Sequence, residues 1–196
     1  MKYIYQVLTI AAMLALACCN ESGRNYGNNL NEERNEAAAE SNTEKFEGRK
    51  QKDADFVFAA MAGLYGEIKL AELANQRSRT ASVKQIAIDM QRHQSACLNE
   101  LKILAQGKTI SVPVEETDVA KRKLEDIAGE SGKEFDKEWC QEMMDLHDKS
   151  IVQFEKRLDD TEDTELKAFI DKTLPVLKQN REHLQACNDK LIRTRS

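Results

Sequence analysis

The sequence predicts an all-α protein whose folded part is a four-helix bundle. A short extra helix is expected in the crossover between its second and third members. Three observations carry this. Apolar residues recur at three- and four-residue steps over four long stretches, the period of an amphipathic helix. Breakers are scarce, with 8 Gly and 2 Pro in 196 residues, so these stretches run uninterrupted. No segment alternates apolar and polar residues as a half-buried strand would.

The amino terminus reads as a targeting signal. Lys2 supplies a positive start, and Val7 to Ala17 is an apolar run too short for a bilayer core, which needs about 20 residues. Ala15-Leu16-Ala17-Cys18-Cys19 resembles a bacterial lipobox, in which a small residue precedes a cysteine that is lipidated and becomes the new first residue. Residues 1–18 are therefore expected as a lipoprotein signal peptide, with Cys18 (alternatively Cys19) carrying the lipid. An ordinary secretory leader with incidental cysteines is the other reading, and either exports the chain. Residues 19–52 are rich in Asn, Glu, Arg, Gly and Ser, and apolar side chains are few. Such a segment cannot bury enough surface to offset its ordering entropy, so a disordered tether is expected there.

The folded domain is expected over residues 53–193. The first helix runs from Asp53 to about Arg77, with Phe56, Ala60, Gly63, Leu70, Ala71 and Ala74 on one face and Glu67 interrupting it. Small residues at Ala59, Ala60 and Gly63 would admit a close neighbour. Thr80 or Ser82 can cap the second helix, which ends near Gln106 with Gly107 as a C-terminal stop. Its stripe includes Val83, Ile86, Ala87, Met90, Cys97, Leu101 and Leu104, and His93 shares it. A connector with Pro113 leads to the short helix, Asp118 to Ala128, and Gly129 and Gly132 bracket the next break. The third long helix, about Lys133 to Asp159, aligns Phe135, Trp139, Cys140, Met143, Met144, His147, Ile151 and Phe154. The fourth, about Thr164 to Arg193, aligns Leu166, Phe169, Ile170, Leu174, Leu177, His183, Leu184, Cys187 and Leu191, with Pro175 inside it as a kink or a lost hydrogen bond. Short turns within each pair and one longer crossover between pairs fit antiparallel neighbours.

Phe56-Val57, Glu67-Ile68, Leu73-Ala74, Met90 with His93, Met143-Met144 with His147, Leu166-Lys167-Ala168-Phe169, Leu174-Pro175 and His183-Leu184 form a recognisable series. It resembles a family of bacterial exported proteins catalogued as a domain of unknown function, often labelled outer-membrane proteins and placed in the ferritin-like superfamily. The resemblance covers about Asp53 to Lys190. It implies a ferritin-like fold and an envelope protein anchored in the outer membrane with its domain facing the periplasm. It implies no activity. Many members carry Asp before the first two histidines, where this chain has Arg92 and Leu146.

All three histidines fall on expected inner faces, with Glu67 on the remaining helix. Glu67, His93, His147 and His183 are thus candidate ligands for a divalent metal, Zn, Mn or Fe. A di-iron centre would need Glu-x-x-His on two helices, but Met90, Met144 and Asn180 stand three residues before the histidines. A metal-dependent oxidase is accordingly the third-ranked reading. Helical register also spreads the four candidates, leaving His183 roughly 10 Å below His147. The alternative is a buried polar layer that fixes packing in a structural or stress-response envelope protein. Cys97, Cys140 and Cys187 admit a disulfide, a Cys/His cluster or plain core filling. A net charge of −5 without a dense basic patch excludes nucleic acid as the main partner.

Overall fold

The computed structural model describes residues 21–193 and is helical throughout, with six helices and no strand among the described residues. They are α1 (Glu21–Lys45), α2 (Gly48–Arg77), α3 (Ala81–Gly107), α4 (Asp118–Gly129), α5 (Gly132–Asp160) and α6 (Thr164–Arg193). The leader and its lipidation candidates Cys18 and Cys19 lie outside the described residues. No described helix is long and apolar enough to cross a membrane.

Two hairpins make the frame. α2 packs along α3 and α5 along α6, while α2 faces α5 and α3 faces α6, so the four long helices touch in a closed ring. The turns are short: residues 78–80 join α2 to α3, and 161–163 join α5 to α6. Thr80 takes the N-cap of α3, yet its hydroxyl donates to Asp136 Oδ2 at 2.5 Å instead of capping. Asp163 caps α6, accepting from the backbone N–H of Leu166 at 2.9 Å. The left-handed residue after α3 is Thr109 (φ 57°), two positions beyond the expected glycine stop. α6 runs unbroken through Pro175, which lies on its exposed side, and the nearby Thr173 hydroxyl bonds the Phe169 carbonyl at 2.7 Å.

The expected tether is corrected from Glu21 onward. α1 is helical, and α2 opens at Gly48 rather than Asp53. Apolar burial does not hold α1; side-chain amides do. Asn42 donates to the Ser111 carbonyl and accepts from the Ser111 N–H, both at 2.8 Å. Asn35 accepts from the Val114 N–H at 2.8 Å, and Asn31 donates to Glu115 at 3.0 Å. These positions, at i, i+4 and i+11, form one polar stripe: Asn35 and Asn42 satisfy backbone groups of the 108–117 connector, and Asn31 bonds the Glu115 carboxylate.

The core has two halves. In one, Phe135, Trp139, Met143 and Met144 of α5 fill the space left by Ala71 and Ala74 of α2 and Ala87 of α3. Trp139 is fully buried and its indole N–H donates to the Leu70 carbonyl at 2.8 Å. Ile127 of α4 closes that half. In the other, Val57, Met61 and Leu64 meet Leu98, Leu101, Phe154, Leu166, Phe169 and Ile170.

Candidate functional site

Glu67 lies in α2 between these halves and is 3% exposed. The stripe Val57, Met61, Leu64, Glu67, Leu70/Ala71, Ala74 keeps helical spacing, so the fold itself turns the carboxyl inward. From α3, Gln94 Nε2 donates to Glu67 Oε2 at 2.5 Å, and Gln94 is equally buried. From α5, His147 is fully buried with Nδ1 3.9 Å from the same oxygen, beyond hydrogen-bond reach. That nitrogen is engaged elsewhere, 2.8 Å from the Met143 carbonyl. A carbonyl only accepts, so Nδ1 carries the proton, and in the neutral ring Nε2 holds the lone pair. Nε2 is buried with no partner, as is Gln94 Oε1.

Burial pushes the Glu67 carboxyl above its ordinary value of 4.5, and the nearby His147 and the Gln94 bond offset only part of that. The Cys97 thiol, close to Glu67, is pushed up to about 12, chiefly by burial and then by the negative charges of Glu67 and Glu100. At neutral pH it is therefore a thiol rather than a thiolate.

The four candidate ligands do not come together in one site. Glu67 and His147 are neighbours. His93 is half-buried at the flank of α3, its Nδ1 enclosed without a partner. The inward stripe of α3 is Val83, Ala87, Met90, Gln94, Leu98, Leu101 and Ala105, which gives the central place to Gln94. His183 is exposed, because the inward stripe of α6 passes through Leu177, Asn180, Leu184 and Cys187. Among the described residues, no three His, Cys, Asp or Glu side chains converge to hold a metal ion. Gln94 is the residue that sequence reasoning missed, although its spacing from Met90 and Leu101 marked it.

Glu67 is also reached from outside. A cleft of about 590 Å³ runs between α2 and α5 and is covered at one end by α4. Ala59, Ala60, Gly63 and Gly66 line its α2 wall, Leu146, Ser150 and Phe154 its α5 wall, and Glu67, Cys97, Thr173 and Leu177 its depth. The small residues of α2 therefore do not admit a helix along their whole length. A side chain at Gly63 would meet open space, whereas at Gly66 its Cβ would lie 3.1 Å from that of Ala120 in α4. Lys123 and Glu142, 3.3 Å apart, form a charged pair on the rim.

Residues 33–187 match the family model described as Domain of unknown function (DUF4142). No curated protein and no solved structure matches the chain.

Proposed function

The chain belongs to the DUF4142 family, and on that premise we propose that it is a ligand-binding module of the bacterial envelope. In this reading its long helices form a ferritin-like four-helix bundle, held by an N-terminal lipid on Cys18 or Cys19 at the outer membrane, facing the periplasm. The observation that carries the proposal is the cleft ending on Glu67. Its volume falls within the range of small-molecule sites, its walls are mostly apolar, and a carboxyl with an elevated pKa sits at its depth.

The ligand class follows from the floor. Glu67 receives one amide hydrogen bond from Gln94 and has no cation within bonding distance. An elongated apolar molecule bearing an amine or hydroxyl would donate to that carboxyl while its hydrocarbon lies along Ala60, Gly63 and Phe154. Native mass spectrometry of the chain released from membranes tests this. The expected result is an added small-molecule mass, lost when Gly63→Trp fills the cleft. Palmitate labelling abolished in Cys18→Ser, or in the double variant with Cys19→Ser, tests the anchor.

A second reading keeps a divalent ion, Zn, Mn or Fe, at Glu67 and His147, favoured by the unpartnered lone pair on His147 Nε2. The protein donors do not fit a resident metal well, since only two of the four candidates are adjacent and His147 Nδ1 is committed to a carbonyl. Elemental mass spectrometry of wild type and His147→Ala separates the readings: stoichiometric metal lost in the variant would favour the ion.

A further inference from the structure

Cys140 of α5 and Cys187 of α6 are both buried in the half of the core that holds Trp139 and Leu184. The register of the two helices brings them together. Across this pair Arg181 lies 2.9 Å from Asp148, and Lys178 lies 2.7 Å from Glu155. Eight residues back from Asp148 is Cys140, and six residues on from Arg181 is Cys187. These are climbs of about 12 and 9 Å in the same direction along antiparallel axes. That puts the two thiols at the same level of the α5–α6 seam, within one core cluster and within interaction range of each other. Ser82 Oγ, contributed by α3, lies 3.6 Å from Cys187 Sγ. Cys97 packs against the other half of the core.

We propose that Cys140 and Cys187 form a disulfide that clamps α5 to α6, with Cys97 remaining a thiol. The reaction needs a disulfide donor, such as oxidised glutathione or an envelope thiol oxidant. The thiolate of one of the two cysteines attacks one sulfur of that donor, releasing a thiolate and forming a mixed disulfide. The other cysteine then attacks the protein sulfur of that mixed disulfide and releases the second thiolate. Two electrons pass from the protein to the donor, and the two cysteine protons end on the donor's two thiols. Because both sulfurs are buried, exchange takes place while the chain folds.

The inference rests on the envelope reading for its oxidant alone, so the test has two arms. The full chain is expressed with its own leader, alkylated under denaturing conditions without reduction, and digested with trypsin. In parallel, purified reduced chain is refolded in oxidised glutathione and treated identically. Each of Cys97, Cys140 and Cys187 lies on its own tryptic peptide: residues 138–149 for Cys140, 182–190 for Cys187 and 93–102 for Cys97. Both arms are expected to give peptide 138–149 linked to 182–190, lighter than the two thiol peptides together by two hydrogens, and Cys97 alkylated. Reductant should then lower the melting temperature of wild type and leave Cys140→Ser unmoved. A link in glutathione alone would overturn the envelope reading and keep the pairing. Alkylation of both cysteines in both arms, or a link through Cys97, would overturn the pairing.

Discussion

The two halves of the core use the same helical periodicity and reach opposite outcomes. Around Trp139, large side chains of α5 face alanines of α2 and α3, and Ile127 of α4 closes the end, so the space is filled. Around Glu67 and toward Phe154, the small residues of α2 lie on its flank toward α5, and Leu146, Ser150 and Phe154 of the facing wall do not reach across to fill the space. A cleft remains. Residue size at matched positions, rather than the hydrophobic pattern, separates the sealed half from the open one. The polar layer of Glu67, Gln94 and His147 lies where the two regimes meet.

The largest effect should come from breaking the sealed half. Trp139→Ala removes a fully buried indole and its bond to the Leu70 carbonyl. It should cost about 3–5 kcal/mol in a urea denaturation.

Next is the polar layer. A carboxyl whose folded pKa is raised binds its proton more tightly in the native state, so its contribution favours folding at low pH. That contribution is lost as pH rises from its ordinary value of 4.5 through the elevated folded value. Glu67→Gln keeps an oxygen for Gln94 and cannot ionise. It should match wild type below that window and exceed it at neutral pH by about 1–3 kcal/mol, giving a flatter stability–pH curve.

Smaller effects separate the two walls of the cleft. Gly63→Ala enters open space and should gain about 1 kcal/mol from helix propensity. The same change at Gly66 should fall short of that gain, because its Cβ presses on Ala120 at 3.1 Å. Paired thermal melts read the difference. Smallest of all is His183→Ala, an exposed site, where the change should stay within about 0.5 kcal/mol.

The boundaries of α6, Thr164–Arg193, were legible from its pattern, whereas α2 opens at Gly48, ahead of the expected Asp53. The inner face was legible to within one residue, and that residue mattered. His93 and Gln94 are 100° apart on a helix, and apolar neighbours flank both, so hydropathy alone could not choose between them. The 83-87-90-94-98-101 spacing could, since it runs straight through Gln94. For His183 the inward stripe passes through Asn180 and Leu184 instead. α1 was missed because its stability comes from Asn31, Asn35 and Asn42 bonding a connector far along the chain, and composition carries no sign of such long-range partners.

The role assigned to Glu67 is tested most directly by calorimetric titration of the full chain with an alkylamine, beside Glu67→Gln and an alkyl carboxylate of equal length. Saturable amine binding at one site, weakened at least about tenfold (1.4 kcal/mol) in Glu67→Gln, with no binding of the carboxylate, is the predicted result. Equal amine affinity in both proteins, or preference for the carboxylate, would contradict it.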